Sequence, residues 1–341
     1  MADPLRSAPV GPATPSAPAA TRPALATSSP TATAADAPPS RAQVLAAFAA
    51  VYVIWGSTYL GIMYAIRTIP PFLMAGSRFV LAGGIMLLAS RLRGEEREAP
   101  AGTTTGAMWR SLAIVGLLLF VGGNGGVVWA EQRVPSGLTA LLVSMAPIFF
   151  VLMEWMRPGG RRPTRGVTAG LVLGALGMGI LVGPDQLAGG QRTDLVGALV
   201  LIVASVTWAA GSLHARYAKL PAAPLFVSGA QMVTGGFLML ALGLAVGEAR
   251  GFSLAQVSST SWIAFAYLLT FGSLVGFTAY SWLLKKVSPA KASTYAYVNP
   301  LVAVFLGWAI AGEAVTARTL IAAAVIVGGV ALITISKSKG R

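Results

Sequence analysis

From Gln43 onward the chain alternates long apolar runs with short polar punctuation. The runs are roughly 18 to 25 residues long, enough for a helix to cross a ~30 Å hydrocarbon core. They fall at 43–64, 72–90, 109–130, 136–155, 165–182, 194–214, 223–246, 260–284, 289–310 and 315–335. The punctuation is rich in Pro, Gly and Arg, as in TIPP, RVPSG, RPGGRRPTRG and KKVSPA. The pattern predicts an all-α membrane protein of ten transmembrane helices.

Composition agrees. Hydrophobic residues make up 55% of the 341, and charged residues only 11%, against roughly 25% in soluble domains. The net charge of +14 does not point to nucleic acid, because the basic residues are scattered between apolar runs. With both termini placed in the cytoplasm, 19 of the 25 basic residues fall inside. The outer loops then hold only Arg67, Arg133, Arg192, Arg250 and Arg318, and Arg78 lies within a span. The positive-inside bias selects that orientation. Residues 1–42 read as a cytoplasmic tail. They are Ala/Pro-rich, with nine prolines before Arg41, and such a segment builds no core. Residues 337–341 read as a basic cytoplasmic end. Cysteine is absent, which excludes disulfides and thiol chemistry. One histidine, His214, makes no metal site. No cofactor and no catalytic constellation is expected.

Displacing the sequence by 153 positions pairs every tryptophan: Trp55 with Trp208, Trp109 with Trp262, Trp129 with Trp282 and Trp155 with Trp308. Pro71 then meets Pro224, Gly83 meets Gly236 and Pro147 meets Pro300. The register needs no gap from about residue 46 to 155. The chain is thus a duplication, with repeats at 43–182 and 183–336. Five spans per repeat is odd, so the second repeat enters the membrane upside down. Inverted repeats are an architecture of secondary transporters, with the solute site near the midplane between the halves.

Several residues inside the spans are candidates to line that site. Pro147 and Pro300 remove backbone donors and are candidate hinges; Tyr295, Tyr297 and Asn299 bring polar groups beside Pro300. Two readings stand, a pocket wall or a kinked helix with satisfied hydroxyls. Trp55 and Trp208 lie mid-span, where an indole N–H needs an acceptor; they line a solute site or pack between helices. Asn124, in VGGNGGVV, either binds solute or bonds across helices. Glu154 is expected to pair with Arg157 one turn on, with proton coupling there as the other reading. Arg78 is costly at membrane depth. It either reaches the outer interface or clamps helix ends, with Glu131, Glu313 and Asn124 as partners, or it faces the cavity and holds a solute carboxylate. Its counterpart is the neutral Gln231. Spans five and ten carry only small and apolar residues, and Gly170 and Gly174 hint weakly at a homodimer.

The segments YVIWGSTYLGI, PPFLMAGSRFVLAGGIML, AEQRVPSGLTALLVSMAP and VSPAKASTYAYVNPLVAVFLGWAIAGEAVT, in this order, resemble the EamA-type permeases of the drug/metabolite transporter superfamily. The resemblance covers about residues 43 to 336. It implies a secondary carrier of the bacterial inner membrane that works by alternating access on a small-molecule substrate, often exporting amino acids, other metabolites or drugs. It also implies a cavity built by spans one to four and six to nine, with five and ten peripheral. The family pattern maps onto Trp55, Gly56 and Ser57, onto Arg78, and onto Asn299 and Pro300, which adds Ser57 to the expected substrate-binding residues, and the second repeat departs from it at Gln231. Proton coupling stays open. The alternatives are a passive facilitator, a lipid-linked sugar flippase and, least supported, a membrane enzyme.

Overall fold

The computed structural model describes residues 40–95, 97–159, 162–182, 194–287 and 294–339. Most of the expected tail, the 183–193 connection and residues 288–293 lie outside them. The described residues form α1 (Arg41–Ala65), α2 (Pro71–Leu92), α3 (Thr105–Ala130), α4 (Ser136–Met156) and α5 (Arg165–Val182). They continue as α6 (Leu195–Tyr217) and α7 (Pro224–Ala245). Next come α8 (Ser259–Tyr267, continued by Leu268–Val275 and Gly276–Lys286), α9 (Tyr295–Ala311) and α10 (Ala317–Lys339). Seven of these, α1 to α4 and α6 to α8, hold stretches long and apolar enough to cross a membrane. The other three carry shorter apolar stretches, at Arg165–Gly177, Val298–Ala311 and Ala317–Ile333.

Local chemistry sets the helix ends. Ser40 and Gln43 close a capping box on α1, each side chain satisfying a backbone donor of the other. Pro71 and Pro224 start α2 and α7, where the missing N–H costs nothing. Gly312, at φ +67°, ends α9 in the left-handed conformation that glycine adopts without penalty.

Packing is symmetric under exchange of the two halves. α2 packs on α7 and α5 on α10; α1 meets α9 as α6 meets α4, and α1 meets α8 as α6 meets α3. Glycines permit the closest approaches. A Cβ on Gly83 would lie 2.7 Å from the Gly229 carbonyl oxygen, and one on Gly76 3.0 Å from that of Gly236. Low numbers on α2 meet high numbers on α7, so the two helices run antiparallel. Gly170 meets Gly329 in the same way on α5 and α10, so the small-residue motif of span five is used within the chain.

The helix ends repeat this reciprocity. Glu248, after α7, accepts from the Phe72 and Leu73 amides that open α2, at 3.1 and 2.9 Å. Glu95, after α2, accepts from the Leu225 and Phe226 amides that open α7, at 3.5 and 3.1 Å. Carboxylates suit these positions because the first amides of a helix lack intrahelical acceptors and carry its positive end. The two glutamates are themselves 153 positions apart.

Candidate functional site

A cavity of about 1440 Å³ lies among α1 to α4, α6, α8 and α9. Its wall is two-fold in position but not in chemistry. Trp55 and Trp208 both line it, as do Tyr59 and Ser212, Asn124 and Phe277, Val127 and Tyr280, Pro147 and Pro300. Each pair is 153 positions apart. Arg78 lines the cavity as well, whereas Gln231 does not.

Trp55 is held by α8. Its indole N–H donates to the Gly272 carbonyl at 3.2 Å. Gly272 sits in a π-helical stretch, Leu268–Val275, matched in α3 by Leu117–Gly125; such wide turns interrupt the α-helical ladder and favour functional positions. The Trp55 ring lies 5.0 Å from Tyr295, 5.1 Å from Tyr280 and 5.4 Å from Phe277. Trp208 packs over Gly123, where a Cβ would fall 2.8 Å from the ring. Asn124 donates within its own π-helical stretch, to the Leu119 carbonyl at 3.2 Å.

Arg78 is turned into the bundle, onto the cavity. Its side chain is 4% exposed, its guanidinium carbon sits 4.2 Å from the Phe79 ring centre, and its buried Nε has no hydrogen-bond partner. Asn299 also faces the cavity, with Oδ1 buried and unpartnered. Ser57 points elsewhere. Its hydroxyl donates to the Ile54 carbonyl at 2.8 Å and bonds the Tyr267 hydroxyl on α8, away from the lining. Tyr295 lines the cavity; the Tyr297 side chain lies outside the described residues.

The two prolines act differently. Pro147 follows a break in α4, between Ser136–Val143 and Ala146–Met156, whereas Pro300 sits inside a continuous α9. The expected Glu154–Arg157 pair is absent. Glu154 instead accepts from the Tyr217 hydroxyl, and Arg157 lies over the Tyr217 ring. The Tyr217 ring thus offers its hydroxyl to one Glu154 oxygen and its π face to Arg157, the residue that follows α4. The small-residue helices are not wholly peripheral either, since Val167 of α5 and Ile333 and Ser336 of α10 reach the wall.

The cavity runs to the end of the bundle that holds Arg162, Thr164 and Arg216. The opposite end is tied shut beyond Ile62, Arg78 and Ala140. Glu313 accepts from the Ser136 amide and hydroxyl, both at 2.7 Å, and from the Gly137 amide at 3.0 Å, fastening the end of α9 to the start of α4. Ser261 donates to the Tyr64 carbonyl at 2.9 Å, fastening α8 to α1. At the same end Arg133 bridges Asp194 at 3.2 Å. The Asp194 carboxyl caps α6, and the Gly197 amide, helped by Arg133, holds it below the usual carboxylate range.

Sequence reasoning passed over Phe79, Phe277, Tyr280 and Ser212. The signal was present: each of the last three is the repeat partner of a residue on a cavity-facing side of α1 or α3.

The EamA-like transporter family profile matches the chain twice, at residues 42–183 and 195–335. Escherichia coli (strain K12) has an uncharacterized inner membrane transporter, YedA, that is 36% identical over 289 residues, covering 84% of this chain and 89% of that protein. An uncharacterized transporter of Bacillus subtilis (strain 168), YoaV, is 25% identical over 88% of this chain and 99% of its own. A probable terminal-alkyne amino-acid exporter of Streptantibioticus cattleyicolor is 29% identical over 60% of this chain and 66% of its own. A solved crystal structure, 21% identical, shares the fold at a TM-score of 0.58 over 86% of this chain and 98% of that one. With two matched copies spanning most of its length, the chain belongs to the EamA-like transporter family, within the drug/metabolite transporter superfamily.

Proposed function

We propose that the protein is a secondary carrier that exports small organic carboxylates, amino acids among them, across the bacterial inner membrane by alternating access. In this reading ten helices cross the membrane as two inverted repeats, 43–182 and 183–336. The tail at 1–42 and the end at 337–341 are cytoplasmic. The basic end of the bundle is then the inner one, and the conformation described is open to the cytoplasm.

One observation carries the reading. Arg78 stands at the blind end of an aromatic-walled cavity between antiparallel halves, with its Nε buried and unbonded. A guanidinium binds a carboxylate through two parallel hydrogen bonds, and rings such as Trp55, Trp208 and Phe277 suit the body of an organic solute. The name of one relative, a probable amino-acid exporter, supports the same reading. The test compares metabolites released by a deletion strain and an overexpressing strain. Carboxylates enriched outside the overexpressor, and lost with Arg78→Gln, are expected; a released set indifferent to both changes defeats the proposal.

A further inference from the structure

Glu131 closes α3 at the tied end of the bundle and is 6% exposed. Both of its carboxylate oxygens are buried and neither has a hydrogen-bond partner. The groups that act on it are Tyr59 from α1, Arg78 from α2 and Glu313 after α9. Arg78 is not in ion-pair contact with it.

Two neighbouring carboxyls thus have opposite surroundings. Glu313 receives three hydrogen bonds, which suits an anion. Glu131 receives none and sits at a helix C-terminus, whose dipole repels negative charge. A bare buried anion is too costly to persist and takes up a proton instead. Pairs of carboxyls divided by environment in this way mark which one moves a proton. Tyr59 and Arg78, two of the groups that act on Glu131, line the cavity, so a change of access at the tied end would wet it.

We infer that Glu131 is the proton-binding site of the transport cycle, holding a proton in the conformation open to the basic end. Once the proton leaves, the Glu131 anion competes with a solute carboxylate for Arg78. Proton and carboxylate therefore bind together and cross together, and efflux proceeds when the outward solute gradient exceeds the inward proton gradient. The Arg78 linkage rests on the proposed function; the proton on Glu131 does not.

Two experiments test this separately. Infrared difference spectra of the full-length protein in detergent, titrated with pH and with no solute, report the carbonyl stretch of protonated carboxyls. A band present at neutral pH, lost in Glu131→Gln and shifted in Glu131→Asp, is expected. An unchanged band pattern in a Glu131→Gln protein with the same thermal unfolding overturns the proton site. In vesicles of the full-length protein, labelled phenylalanine is the probe. With the exterior one pH unit more acidic, one proton per solute gives up to about tenfold accumulation. Glu131→Gln should abolish that accumulation and make exchange at equal pH insensitive to pH, while Glu131→Asp restores both. Accumulation undiminished in Glu131→Gln, or driven by the reverse gradient, overturns the coupling. Should the unaltered protein not move phenylalanine, the substrate reading fails while the infrared result still decides the proton site.

Discussion

Replacing Arg78 by Gln removes the one basic side chain at the blind end of the cavity and leaves the packing of α2 on α7 untouched. Arg78→Gln is expected to fold and to lose roughly 10- to 100-fold in transport of carboxylate solutes, the range of a hydrogen bond to a charged group. Arg78→Lys keeps the charge but not the paired geometry and should recover only part of the loss. A stable Arg78→Gln protein with normal transport in vesicles would remove Arg78 from the binding site. Trp55→Phe keeps an aromatic ring, though a smaller one, and deletes the N–H that meets the Gly272 carbonyl. It should cost about 1 kcal/mol in stability, read as a lower thermal midpoint in detergent, with an unchanged midpoint counting against that bond.

At the scale of elements, the reciprocal caps bind the central pair α2 and α7. Glu95→Ala and Glu248→Ala should each cost about 1 kcal/mol. The two sites share no partners, so a double variant should lose the sum; a loss well short of that in thermal unfolding would mean the caps are not independent. Gly83→Val places carbon against the Gly229 backbone and should abolish accumulation of folded protein, whereas Gly84→Val, with nothing within 4 Å of a Cβ, should be tolerated. The cap on α6 carries an acid signature. The Asp194 carboxyl titrates lower when folded than when unfolded. Its stabilisation is therefore complete above the unfolded value and disappears as pH falls through the folded one. Asp194→Asn keeps an acceptor for the Gly197 amide and should flatten the acid limb of a thermal-unfolding pH series.

For the whole molecule, the proposed orientation places Gly102 in the cytoplasm and Gly251 outside. Reporter fusions at these two glycines should read accordingly, and a cytoplasmic signal at Gly251 would break the ten-span topology. The chain lacks cysteine, so single cysteines can be read without background. Ser212→Cys lines the cavity and should react with a small aqueous thiol reagent applied from the basic end, while Leu88→Cys, 58% exposed on the outer surface of the bundle, should react slowly within the bilayer.

The sequence by itself determined the helical, membrane-embedded class, the positions of the apolar runs and the 153-residue register. Each is carried by length, charge bias or identity along the chain, and none needs a neighbour in space. It also marked Trp55, Trp208, Arg78 and Asn124 as misplaced in an apolar run, because an indole or a charge is conspicuous there. Only the tertiary structure decided which faces of the helices converge. Lipid is as apolar as a helix interface, so hydrophobic periodicity does not separate the buried side of a span from its outer side. That is why Ser57 could be read toward the solute when it turns to Tyr267, and why Phe277 and Tyr280 went unnoticed. The two prolines occupy one register yet break α4 and not α9. Glu95 and Glu248 look like ordinary loop charges until the antiparallel packing of α2 and α7 carries each to the other helix's first amides. The same closure of one end over Arg78 and Glu131 leaves a cation and a carboxyl buried near each other and unpaired, a juxtaposition that arises only when residues distant in the chain are folded together.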